Sequence, residues 1–189
     1  MNTPSHVIIN LALLGKKDKP NLHLPIFIGA VLPDLMMFVF YAIQKFILQN
    51  PESQIWREEY FKPFRQNIFD PLNSFPLITI AFVIAYYKKS SIWMALTASM
   101  FLHCLLDFPL HTDDAHRHFW PFSDFRLDIG ISYWNPAEGG MLISVFENIL
   151  LIIAAYFVYK ILKHKLSKYI LILFVVLQVV MMWVFYLVF

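Results

Sequence analysis

The order of apolar and polar positions divides the chain into long apolar runs separated by short basic turns and two longer polar stretches. Residues 4–15 read as a short helix. Ser5 stands where an N-cap belongs, His6 to Leu14 is almost wholly apolar, and Gly15 with Lys16 and Lys17 closes it. At about 1.5 Å per residue such a helix reaches roughly half way across a bilayer core, which predicts a re-entrant segment or one packed among other helices. A second run, Leu24 to Gln49, is long enough to cross a membrane even with a kink at Pro33-Asp34. In residues 50–70, Trp56, Tyr60, Phe64 and Ile68 recur at helical spacing against Glu58, Glu59, Lys62, Arg65 and Gln66. That is the pattern of a helix lying in the membrane interface, broken at Pro63.

Four further apolar segments follow: Pro71 to Tyr87, Ile92 to Leu110, Met141 to Leu162 and Tyr169 to Phe189. Between the second and third of these, residues 111–139 are rich in aspartate, histidine, proline and glycine, which predicts a loop. The expected fold is all-α: a polytopic integral membrane helical bundle of about five spans, with a short N-terminal helix and an interfacial helix, forming one domain over residues 1–189.

Composition sharpens this picture. Hydrophobic residues make up 59% of the chain and the mean hydropathy is +0.58, too apolar for an ordinary soluble domain. Integration in the cell (inner) membrane is expected, with membrane lipid as the surrounding partner. The net charge of +2 is small and the basic residues sit beside apolar segments, so nucleic acid is not an expected partner. Cys104 is the only cysteine; it excludes an intrachain disulfide and reads as a small buried apolar residue. Nine of the fifteen basic residues fall in or beside the turns at 16–21, 88–91 and 160–168, with only Asp18 opposing them. Placing those turns in the cytoplasm puts the polar stretches 50–70 and 111–139, and the N-terminus, on the opposite face.

The chemistry concentrates in residues 103–123, which hold four of the seven histidines and three of the thirteen acidic residues. The expected topology brings His6, Asp34, His103, Asp107 and Glu147 to one layer, and ionisable groups at such depth mark functional sites by default. His103 and Asp107 are four apart and share a helix face. His111 continues that face beyond Pro109, and His116 and His118, flanking Arg117, can fold back over the opening. Imidazole and carboxylate ligands without thiolate suit a divalent metal, zinc first, with manganese or iron as alternatives. The candidate ligands are His6, Asp34, His103, Asp107, His111 and His116. Asp113 or Glu147 is a candidate general base, and Arg117 or His118 a candidate holder of an anionic group. Three of these have a plainer reading as well: Asp34 and His6 as helix-end hydrogen-bonding groups, Glu147 as a buried partner of Arg117 or Arg126.

Taken together, Ser5-His6, Leu32-Pro33-Asp34, His103xxxAsp107 and Trp120-Pro121-Phe122-Ser123 resemble the predicted membrane-bound metal-dependent hydrolase family, which is distantly similar to zinc-dependent phospholipase C. The resemblance implies a helical membrane protein whose metal ligands include His6, Asp34, His103 and Asp107. The expected function is metal-dependent hydrolysis of a lipid-borne ester or phosphoester at a site in the outer half of the bilayer. The alternative is a non-catalytic membrane protein that uses the same cluster to hold a metal or brace its helices.

Overall fold

A computed structural model describes residues 1–188, with side chains through Val184. In chain order the elements are α1 (Thr3–Leu14), a 3-10 turn, α2 (His23–Ala42) continued by a π turn (Ile43–Ile47), α3 (Glu52–Gln54) with a second π turn (Ile55–Glu59) and α4 (Pro63–Phe69). A 3-10 turn (Asp70–Asn73), α5 (Phe75–Tyr87), α6 (Ser91–Asp107), a short 3-10 turn, α7 (Gly140–Ile161) and α8 (Lys165–Val188) complete it. No strand occurs among the described residues.

Four stretches are long and apolar enough to cross a membrane: Pro20–Ile47, Pro63–Tyr87, Gly140–Ile161 and Lys165–Val184. The fourth expected apolar segment, 92–110, yields only the 17-residue α6. Pro109 has no N–H to carry the helical ladder through Leu110, so the apolar run outlasts the helix. The expected interfacial helix is also divided. Lys62 is extended ahead of Pro63, as the residue before a proline is biased to be, and from Pro63 the chain turns inward and joins α5 through the Asp70–Asn73 turn. Ser5 is not the N-cap of α1; Asn2 is, and the Ser5 hydroxyl leaves the helix to bond Glu147.

The helices bury an unusual number of polar groups beside their apolar clusters and leave large apolar side chains outside. Ser5, His6 and Asn10 of α1 and Ser99, His103 and Asp107 of α6 are buried, whereas Ile149, Ile152, Ile153 and Phe157 of α7 are about half exposed. A water-soluble bundle has the opposite arrangement. The central packing is α2 on α6, with α1 lying against α2, α6 and α7, and α5 and α8 flanking.

Close approach at the α2–α6 crossing depends on Gly29, where an added Cβ would lie 2.2 Å from the Leu96 carbonyl oxygen. A polar seam then fastens the three inner helices. Asn10 Nδ2 donates to the Ser99 carbonyl at 2.8 Å, and Ser99 Oγ donates to the Ile26 carbonyl at 2.6 Å. In an apolar surround each such bond keeps a buried polar group from being left unpaired. Cys104, fully buried, packs with Ile78 and Met100, as expected of a small apolar residue.

The turn after α1 lies beside the end of α7, Gly15 close to Ile161, and the Pro20–Leu22 turn touches α6. At the opposite end the stretch 111–139 joins both the stretch 50–70 and the start of α5: Tyr60 OH donates to the Asp114 carbonyl, and Phe75 N–H donates to the His118 carbonyl at 2.8 Å.

Candidate metal centre

Pro33 inside α2 removes an N–H from the helical ladder and loosens the carbonyls of the preceding turn. The Ala30 carbonyl in that turn accepts a hydrogen bond from His103 Nδ1 at 2.7 Å. A carbonyl can only accept, so Nδ1 of His103 carries a proton, and in the neutral imidazole Nε2 then presents its lone pair. That Nε2 is buried without a hydrogen-bond partner. It lies 3.4 Å from Asp107 Oδ2 and 3.5 Å from Asp34 Oδ1.

Beyond the end of α6, His111 repeats the arrangement. Its Nδ1 donates to Asp114 Oδ2 at 3.0 Å, and its Nε2, also buried and without a hydrogen-bond partner, lies 3.6 Å from Asp107 Oδ2. His6, on the first turn of α1, stacks on His103 with ring centroids 3.7 Å apart and places Nε2 3.0 Å from Asp107 Oδ1. The amino nitrogen of Met1 also contacts Asp107 Oδ1, and Thr3 Oγ1 donates to Asp34 Oδ2. Ligand atoms of His6, His103 and Asp107 all lie within 4.8 Å of one another.

The donor set therefore fits a divalent cation. His6, His103 and Asp107 form the cluster, with Asp34 beside His103 and His111 beside Asp107, and two of the imidazoles have their far nitrogen held by an acceptor, as a ligating histidine usually does. His111 stands in a strongly anionic place. Burial disfavours its charged form, but its bonds to Asp107 and Asp114 outweigh burial and raise it to about 9, so without a cation it pairs with both carboxylates as an imidazolium, and a bound metal would have to displace the Nε2 proton.

The remaining sequence candidates have other places. His116 lines the same cavity, but its Nδ1 faces Asp70 Oδ1 at 3.4 Å. His118 is turned away: its Nδ1 donates to the Asn73 carbonyl at 2.9 Å, and its ring stacks on Phe75 at 5.2 Å. Burial in that aromatic setting lowers His118 to about 4. Arg117 is committed to Asp70 (2.6 Å), Asp124 (2.8 Å) and Asn67 (2.6 Å), so it does not reach the cavity as an anion holder. Asp113 is exposed and lies outside the cavity lining.

Glu147 is buried on α7, where Oε1 accepts from Ser5 Oγ at 2.5 Å and from the Asn2 backbone N–H at 3.0 Å. It holds the start of α1, and with it His6, in position; neither Arg117 nor Arg126 is its partner. Residues that sequence reasoning passed over as site groups are Thr3, the Ala30 carbonyl and Asp114. Of these only Asp114 carried a signal, three residues beyond a histidine.

The centre forms the floor of a cavity of about 460 Å³ between α1, α2, α8 and the 108–139 loop, with Asp34, Asp107, His111, Asp114 and His116 in its lining. No protein family, curated protein or solved structure matches this chain.

Proposed function

We propose that the chain is an integral membrane metal-dependent hydrolase acting on a lipid-borne ester or phosphoester. His6, Asp34, His103, Asp107 and His111 hold the cation, zinc by the chemistry of the donors, with manganese or iron as alternatives. In this reading the basic turns face the cytoplasm, the site opens toward the non-cytoplasmic side, and α6 joins the four long helices inside the bilayer. The observation that carries it is the pair of buried Nε2 atoms on His103 and His111, both without hydrogen-bond partners and both aimed at Asp107.

A divalent cation held there would polarise a carbonyl or phosphoryl oxygen and ease the ionisation of water. The chain's own residues set the conditions. Asp114 and the Ala30 carbonyl fix the tautomers of His111 and His103, Thr3 steadies Asp34, and Glu147 fixes the entry of α1 that carries His6.

Two contacts favour the second reading, a scaffold without an ion: His6 Nε2 lies 3.0 Å from Asp107 Oδ1, and the Met1 amino nitrogen donates to the same oxygen. Elemental analysis of protein purified without chelators separates the two. A near-stoichiometric transition metal, lost in both His103→Ala and Asp107→Ala, supports the hydrolase. Metal-free wild type leaves the scaffold.

A further inference from the structure

Away from the candidate centre, an apolar cleft of about 270 Å³ runs between α7 and α8. Its lining includes Ile152, Tyr156 and Tyr159 of α7 and Leu171, Ile172 and Val176 of α8. Residues 152, 156 and 159 are spaced i, i+4 and i+7, and 172 and 176 are i and i+4, so each set is one face of its helix. α8 packs chiefly on α7, and little of its length is buried. Ile152, Tyr156, Ile172 and Val176 are each about half exposed, so the cleft opens outward along its length.

One end of this cleft is basic. Lys160 Nζ stands over the Tyr156 ring, 4.1 Å from its centroid, and Lys168 Nζ over the Tyr159 ring at 4.3 Å. Each ammonium is thus steadied by the face of an aromatic ring that lines the cleft, and Lys163 and Lys165 are exposed in the turn between. No aspartate or glutamate follows Glu147 in the sequence. Among the described residues the lysine side chains in ion pairs are those of Lys45 and Lys62, both far along the chain from this turn. The turn after α1, set against Ile161 through Gly15, brings Lys16, Lys17 and Lys19 against the single acid Asp18, and so leaves this end positive. A small soluble anion would answer the lysines and leave the cleft open, and an uncharged lipid would do the reverse. A second copy of this chain in a symmetric contact through the cleft would set the four lysines against their own equivalents.

We infer that the α7–α8 cleft holds an anionic phospholipid, its phosphate at Lys160 and Lys168 and one acyl chain along the face from Tyr159 to Ile152. Basic residues where a cleft between membrane helices meets the headgroup layer are a recurring site for such lipids, and tyrosines collect at the same level. From Lys160 back to Ile152 the helix rises roughly 12 Å, with only the two tyrosines to interrupt an apolar wall. The inference needs the chain in a bilayer; it does not need the metal centre or the hydrolytic reading, and it holds in whichever leaflet the turn faces.

The test uses full-length protein in phosphatidylcholine nanodiscs that carry a trace of phosphatidylglycerol with a diazirine on its acyl chain. Labelled residues are mapped by mass spectrometry after irradiation. Labelling is expected at Ile152, Tyr156, Ile172 and Val176. Replacing about a tenth of the phosphatidylcholine by unlabelled phosphatidylglycerol should suppress it at least tenfold, and the same share of zwitterionic phosphatidylethanolamine should not. Lys160→Gln with Lys168→Gln should lower labelling at least tenfold at an unchanged melting temperature. Lys88→Gln with Lys89→Gln, an equal loss of charge in another basic turn, should leave it as in wild type; the competition in wild type needs no variant. Equal losses in the two double variants would mean that the bundle attracts anionic lipid only diffusely, and would overturn the inference. So would labelling spread over the outer faces without competition, or a cleft covered by α8 of a second copy in copy-to-copy cross-links.

Discussion

Asp114 Oδ2 accepts a hydrogen bond from His111 Nδ1 at 3.0 Å, which leaves His111 Nε2 directed at Asp107. Outer-shell carboxylates of this kind typically contribute 10- to 100-fold to metal affinity. Asp114→Ala is therefore expected to weaken metal binding by about that factor without changing the ligands. Competition with a chromophoric chelator measures it, and an unchanged affinity would remove His111 from the ligand set.

A second expectation concerns Glu147, whose Oε1 holds Asn2 and Ser5. Loss of this anchor in Glu147→Ala leaves buried donors unpaired, at a cost of about 1–3 kcal/mol, and should lower both thermal stability and metal content. Glu147→Gln keeps an acceptor in place and should retain both. If instead Glu147→Gln binds metal normally yet loses hydrolysis of an acyl ester by two orders of magnitude or more, Glu147 is the general base.

Gly29 supplies a third. A side chain there meets the Leu96 carbonyl and Ser99 Cβ, both closer than 3.0 Å, and neither can yield without moving α6. Overpacking of this kind costs about 1–3 kcal/mol or more. Gly29→Val should lower the melting temperature of the detergent-solubilised protein and release metal together with it, because the same displacement moves His103 from Ala30.

The fourth follows from His118, lowered by burial to about 4. The unfolded chain takes up a proton on this histidine near its ordinary value of about 6.5 while the folded protein does not. Stability is thus fully present above about pH 6.5 and falls as the pH drops through that value toward about 4. Thermal melts at pH 7 and pH 5 should show a smaller acid loss in His118→Gln than in wild type. Equal losses would mean that His118 is not buried as described.

The positions of the helices were readable because a helix long and apolar enough to cross a membrane writes itself as an unbroken hydrophobic run. For the same reason their lengths were less readable: Phe108 and Leu110 extend the run past the end of α6, and only Pro109 marks where hydrogen bonding stops. The pairing of His103 with Asp107 was legible because helical spacing is regular. In the 108–139 loop no period says which of Asp113 and Asp114 turns inward; tertiary contact with His111 selects Asp114. Ser5 looked like a cap because its residue type suits one, and its hydroxyl is taken instead by a carboxylate 142 positions away.

At 17 residues α6 is about 26 Å long, less than the roughly 30 Å of bilayer hydrocarbon, and α1, with 12 residues, is shorter still. α6 carries groups of the candidate centre at its C-terminal end and α1 at its N-terminal end, so in the proposed orientation a bilayer would dimple there or admit a funnel of solvent. Acyl chains and water, which an undisturbed bilayer holds apart, would meet a few ångströms from each other at this one place.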